Sequence, residues 1–171
     1  MNGVERLNIL PEEAAKTELE KCCGSSRWVR EMIDVRPFTG MDDLLTKAER
    51  VWAECGETDW LEAFQHHPKI GDVNSLRKKF ASTATWASGE QAGVNSANEE
   101  ILRGLAKGND DYEKKNGFIF IVCATGKSAG EMLTLLNARL PNDRTAELKI
   151  AAAEQAKITS IRLKKLQDAS F

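Results

Sequence analysis

The two imidazoles of the chain, His66 and His67, are adjacent and stand immediately before Pro68 in the run His67-Pro68-Lys69-Ile70-Gly71. Histidine titrates closest to neutrality of all side chains, so it is the first candidate for moving a proton. Trp60, Phe64 and His67 share one helical face at i, i+4 and i+7, with Asp59 as a candidate N-cap. Pro68 disfavours helical geometry at the residue before it, so this helix should stop at His67. The negative end of the helix macrodipole there favours an imidazolium, which suits a general acid. On position alone the plainer reading, a histidine capping the last carbonyls, is the better one. His66 has no argument of its own.

Three other places break the local pattern. Glu90 and Gln91 lie in Trp86-Ala87-Ser88-Gly89-Glu90-Gln91-Ala92-Gly93, where Ser88 could cap a short helix and Glu90 merely complement its dipole. Taken alone, that structural reading wins. Arg162 is more telling. In a helix from Thr145 to Leu166, Leu148, Ala152, Ala156, Leu163 and Leu166 point one way. Ile150, Ala151, Ile158 and Ile161 lie beside them, and Arg162 projects between the groups with Gln155 nearly above it. A guanidinium there needs a partner, because an unpaired buried charge is too costly to keep. A structural carboxylate, with Glu154 on the same arc, and a ligand anion are equally good candidates. The third place is Gly117 to Ser128, whose Gly126-Lys127-Ser128 tail superficially matches a phosphate loop. Position 121 is Ile where that motif requires Gly, which argues against an NTPase. The apolar run Phe118 to Ala124 is either a buried segment entering a helix capped by Ser128 or a set of backbone amides able to hold an anionic or imide ligand.

The elements that must position these residues read as helices. Met41, Leu44, Leu45, Ala48, Val51, Trp52 and Cys55 recur at three- and four-residue steps and fill one arc of roughly 120°, with Gly56 as the stop. Pro11 can take a first helical position before an acidic pair, with Gly24 closing that stretch, and Ser26 can cap a helix running to about Val35 before Pro37. Further helices are expected at Ser75–Phe80, Asn98–Leu105, Ser128–Leu140 and Thr145–Leu166; only Phe118–Cys123 has strand-like composition. With 171 residues, no repeat and no Pro/Ser-rich linker, the chain is expected to be a single all-α domain over residues 1–171. It should hold about eight to ten helices and one short extended segment near 118–123.

Composition narrows the function classes. A net charge of −2 without a dense basic stripe argues against nucleic acid. The longest apolar run is far short of the roughly 20 residues that span a bilayer, so no membrane partner is expected. The first ten residues lack a secretory core, and Ala169-Ser170-Phe171 is not a peroxisomal signal. Cys22, Cys23, Cys55 and Cys123 show no CxxC spacing and are expected to be reduced thiols in a cytoplasmic setting. No cluster has metal-ligand spacing, so no metal is expected.

Together these segments resemble the 2-oxo-4-hydroxy-4-carboxy-5-ureidoimidazoline (OHCU) decarboxylases of urate breakdown. The matching pieces, in the family's order, are His67-Pro68-Lys69-Ile70-Gly71-Asp72, Glu90-Gln91, Gly117-Phe118 through Ala124, Arg139-Leu140 with Asn142, and Glu154 through Lys157-Ile158 to Arg162-Leu163. They cover roughly positions 60 to 165, and it is their joint occurrence that is specific.

The resemblance implies an all-α fold, a homodimer, and decarboxylation of OHCU to (S)-allantoin and carbon dioxide. It casts His67 as the catalytic proton donor or acceptor, Glu90 as its acidic partner, and Gln91 and Arg162 as substrate hydrogen-bond donors. Pro68, the segment Ala87, Ser88, Gly89, Glu90 and Gln91, and the backbone of Phe120, Ile121, Val122, Cys123 and Ala124 would line the pocket. The sequence departs from the family in one respect: Ala87 stands where the family commonly has Ser, and Ser88 is one step later. No cofactor is implied, because the conjugated ring beside the carboxylate can itself accept the electron pair that decarboxylation leaves behind. Two rivals are a non-catalytic helical interaction module with Arg162 paired to Glu154, and a lyase acting on a related ureido acid.

Overall fold

Helix α1 (Gly3–Ile9) is seven residues long and begins in a reciprocal cap. The Asn2 side chain accepts the Glu5 amide at 2.9 Å, and the Glu5 carboxylate accepts the Asn2 amide at 2.9 Å. Two turns of helix are marginal alone. Val4 and Leu7, both buried, fix it in place. The structure, a computed structural model, describes residues 1–69, 71–81 and 91–167; the side chains of 81 and 91–97 lie outside the description.

The described residues form nine helices and no strand: α2 (Glu12–Glu20), α3 (Ser26–Asp34), α4 (Met41–Glu54), α5 (Glu57–Gln65), α6 (Val73–Ala81), α7 (Gln91–Asn116), α8 (Ala129–Arg139) and α9 (Arg144–Lys165) follow α1. The fold is all-α, as the periodicity predicts. Among the described residues, no helix is long and apolar enough to cross a membrane.

The helices fall into two compact units. The first is Met1–His67 with Ile150–Phe171, and the second is Pro68–Lys149. In the first, α3 packs against α2, α4 and α5. Trp28, Leu19, Met32 and Leu44 are fully buried there, each contributing about 1.5–3 kcal/mol of apolar burial. Both core indoles find acceptors: Trp28 Nε1 donates to the Ala48 carbonyl at 3.2 Å, and Trp52 Nε1 to the Ala152 carbonyl at 2.9 Å. The second bond ties α4 to α9. Along α9 the buried positions are 147, 148, 151, 152, 155, 159 and 163, a stripe of helical period that carries Glu147, Gln155 and Thr159 inside it.

In the second unit α7 packs on α6 and α8. The chain leaves α7 at Gly117, whose φ of +78° is open to glycine and strained for other residues. Residues 118–128 then run without helix or strand pairing to Ser128, whose Oγ accepts the Glu131 amide at 3.2 Å and caps α8. The strand-like composition of Phe118–Cys123 thus serves burial: Phe118, Ile121 and Cys123 are in the core, and no neighbouring strand supplies a ladder among the described residues.

Several boundaries shift from the sequence reading. α4 ends at Glu54 with Cys55 as its C-cap, so Gly56 follows it as expected and also serves as the N-cap of α5; Asp59, expected at that N-cap, reaches back so that its carboxylate accepts the Gly56 amide at 3.0 Å. Pro11 is the N-cap of α2 rather than its first residue, and that helix ends at Glu20, before Gly24. Ser25, not Ser26, caps α3, its hydroxyl accepting the Trp28 amide at 3.3 Å. The helix expected at Asn98–Leu105 is only the middle of the 26-residue α7. The polar and glycine-rich flanks of α7 hide its length, because helix–helix packing overrides their weak propensity.

Candidate active site

His67 lies two residues beyond α5, with its amide donating to the Phe64 carbonyl at 3.1 Å. Among the described residues its ring makes no hydrogen bond to those last carbonyls, which corrects the capping reading. Nε2 instead meets Gln155 Oε1, on α9, at 2.5 Å. Gln155 is fully buried, and its Nε2 donates to Thr159 Oγ1 one turn later at 3.1 Å. A Cβ on Gly24 would come within 2.3 Å of His66 Cγ, so the close packing of that loop on His66 requires glycine.

Burial sets the protonation of His67. Desolvation pushes its pKa below the ordinary 6.5, opposed by the hydrogen bond to Gln155 and reinforced by the charges of Arg162 and His66. The macrodipole argument pointed to an imidazolium; withdrawal from water outweighs it, and the ring is neutral near pH 7. A neutral imidazole can accept a proton on one nitrogen while donating from the other.

Arg162 projects from α9 into the same neighbourhood, half-buried. Among the described residues its guanidinium makes one long hydrogen bond, Nη1 to the Lys21 carbonyl at 3.5 Å. Glu154, the competing structural partner, forms an ion pair with Lys157 at 2.6 Å. The nearby thiols of Cys22 and Cys23 are no rivals for the chemistry. Burial raises both to about 11 despite the Arg162 charge, so neither supplies a thiolate near neutrality.

The second unit holds the other expected lining. Ile121 O accepts from Arg139 Nη1 at 2.6 Å, and Cys123 O accepts from Lys127 Nζ at 2.6 Å. Lys127 of the phosphate-loop-like tail therefore folds onto its own segment. Phe120 lies edge-on to Tyr112, with ring centroids 5.3 Å apart, and under the Arg139 guanidinium at 4.6 Å. Arg139 also bonds Glu147 Oε1 at 2.7 Å and the Tyr112 hydroxyl at 3.2 Å. Tyr112 donates to Glu147 at 2.6 Å; burial, followed by that bond, pushes its phenol well above the ordinary range. This network fixes the course of Phe120 to Ala124.

Of the expected site residues, His67 and Arg162 are brought together in the first unit, and Phe120, Ile121, Val122, Cys123 and Ala124 form a continuous set in the second. Pro68 is exposed at the start of the second unit. Ala87, Ser88, Gly89 and Glu90 lie outside the described residues; Gln91 begins α7, with its side chain outside the description. The sequence reading gave no role to Gln155, Arg139 or Glu147. The signal was present: Gln155 holds a core register of α9, and Met132, Leu136 and Arg139 repeat at i, i+4 and i+7 on α8.

Fold and site therefore define an all-helical protein in which a half-buried histidine, held by a buried amide, feels the charge of an arginine that makes one long hydrogen bond among the described residues. The chain belongs to the OHCU decarboxylase family, whose pattern matches residues 8–164. It is 38% identical over 156 residues to the uric acid degradation bifunctional protein TTL of Arabidopsis thaliana, a match covering 90% of this chain and 48% of that protein. The chain thus spans about half the length of that relative. It is 22% identical to the 2-oxo-4-hydroxy-4-carboxy-5-ureidoimidazoline decarboxylase of Haloferax volcanii, covering 94% of this chain and 93% of that one. Among solved structures, an OHCU decarboxylase crystallised in the presence of (S)-allantoin superposes with a TM-score of 0.71 at 37% identity, covering 89% of this chain and 98% of that one.

Proposed function

We propose that this chain is a carboxy-lyase that decarboxylates OHCU to (S)-allantoin and carbon dioxide in urate breakdown, without a cofactor. The observation that carries the reading is a neutral, Gln155-bound His67 within electrostatic reach of Arg162, whose guanidinium makes one long contact to a carbonyl among the described residues. It is the arrangement an anionic substrate with an exchangeable proton needs, in a chain of this family.

In this reading Arg162 holds the anion, while His67 and Glu90 act on the 4-hydroxyl and position the carboxylate. The bond from the ring carbon to the carboxylate breaks and carbon dioxide leaves. Its electron pair passes into the conjugated ring, where Arg162 and Gln91 balance the charge growing on oxygen and nitrogen. A proton then forms a new C–H bond at the neighbouring, ureido-bearing carbon from one face, while the 4-hydroxyl gives up its proton and becomes the ring carbonyl, which gives a single enantiomer. Pro68, Ala87, Ser88 and Gly89 and the backbone of Phe120 to Ala124 serve as lining, the latter facing the imide part of the ring. The family match runs across both units, which supports reading residues 1–171 as one domain; a homodimer in the cytoplasm completes the proposal.

The test is His67→Asn, followed by circular dichroism of the product and by carbon dioxide release. Turnover should fall at least about 100-fold, the lower range for a lost acid–base group, while far-ultraviolet helicity stays unchanged. Wild-type appearance of optically active allantoin in this variant would remove His67 from the mechanism. Release of carbon dioxide by the native protein separates decarboxylation from a hydratase or lyase acting on a related ureido acid.

A further inference from the structure

The chain of groups behind His67 determines which of its nitrogens carries the proton. Gln155 Oε1, 2.5 Å from Nε2, is a carbonyl oxygen and can only accept. The amide cannot simply turn over, because its other end is committed: Gln155 Nε2 donates to Thr159 Oγ1 at 3.1 Å. The Thr159 hydroxyl is near enough to Cys23 to lower its thiol pKa, the sense expected of a proton turned toward sulfur, although burial leaves that thiol high overall. A hydroxyl has one proton; with that proton directed to Cys23, its lone pairs face Gln155. Gln155 is fully buried and Thr159 nearly so, hence water does not compete for either bond.

We infer that Gln155 is a positioning residue that fixes His67 as the Nε2–H tautomer, held in register by Thr159, so that Nδ1 is the nitrogen left to exchange a proton with substrate. The charged groups facing the ring are Arg162 on α9 and His66 on its own segment. A guanidinium has no acceptor, and the hydrogen bond that the His67 ring makes among the described residues goes to Gln155, so Gln155 is what selects between the two nitrogens. Gln155 does its work through His67 and is not itself a catalytic residue. The kinetic part of the inference rests on the decarboxylase reading; the tautomer does not.

Long-range proton–nitrogen correlation NMR on nitrogen-15-labelled protein at pH 7.5 reads the tautomer directly, with exposed His66→Gln assigning the two rings. The expected result is a single neutral His67 with a protonated Nε2; a protonated Nδ1 or an even mixture overturns the inference. Gln155→Leu should mix the tautomers and lower kcat by about 10- to 100-fold with KM within about twofold, the scale seen when an orienting partner of a histidine is lost. Gln155→Glu, which keeps the acceptor, should restore the Nε2–H form. Unchanged kcat and tautomer in Gln155→Leu would overturn the assignment. Should that variant not fold, Thr159→Val frees the amide to turn over, and an unmixed tautomer there would equally defeat it. A native protein without decarboxylase activity would sink the proposed function while the NMR result stood on its own.

Discussion

Arg139 and Arg162 both rise from helices among apolar neighbours, yet the two units use them in opposite ways. Arg139 is almost enclosed and nearly every face of it is occupied: the Glu147 carboxylate, the Ile121 carbonyl, the Tyr112 hydroxyl and the Phe120 ring all meet it. Arg162 is half-buried and makes one 3.5 Å hydrogen bond to a carbonyl among the described residues. Glu147, fully buried, also accepts from Asn142 Nδ2 at 2.9 Å, so the negative side of the Arg139 network is equally complete. An arginine whose hydrogens are spent on its own chain builds structure. One that makes a single long bond among the described residues, within electrostatic reach of a neutral histidine, is what the proposed function asks of a group that holds an anion from outside.

The largest effect that separates the two is on stability. Arg139→Met leaves the Glu147 charge buried and short of its cation, a change worth about 3–5 kcal/mol. Thermal unfolding should drop by about 10 °C for a chain of this size. Arg162→Met should leave the melting temperature within about 2 °C of the native protein and lower turnover by about 100-fold or more. Calorimetry and the allantoin assay on both variants decide the matter. A large loss of stability in Arg162→Met, with specific activity kept, would make it a second structural arginine and remove the contrast.

Much of this was legible in the residues, and what was not has physical causes. The α4 stripe from Met41 to Trp52 could be read because its periodic apolar positions coincide with its packing face. The start of α5 was misplaced by three residues: an aspartate one turn into a helix looks like a cap in sequence, while here it reaches back to an amide at the real cap, Gly56. Arg162 could be singled out because a charge in an apolar arc is anomalous at one helix's scale. That Arg139 rather than Arg162 has the structural carboxylate depends on α7, α8 and α9 meeting around Tyr112, and pairings between helices leave no local trace. The protonation of His67 was likewise hidden, since the dipole follows from chain position but desolvation depends on what packs over the ring.

The smallest effect is electrostatic and is read on His67 itself. Burial is the leading cause of its lowered pKa and the Arg162 charge a lesser one. In a proton NMR titration the ring should therefore reach its midpoint below 6.5 in the native protein. In Arg162→Met the midpoint should move upward yet stay below 6.5, because the ring is still buried. The sign for stability follows from proton uptake. With the folded midpoint depressed, the unfolded chain binds a proton first as pH falls through 6.5, so a destabilising penalty absent above that pH grows until the folded ring also titrates. His67→Asn lacks that segment of the pH–stability curve, and the difference between the two curves isolates it. A native midpoint above 6.5 would mean that an acidic group close to the ring outweighs its burial. His67 would then approach its substrate as a charged acid, and the openness of Arg162 would need another explanation than an anion held beside a neutral base.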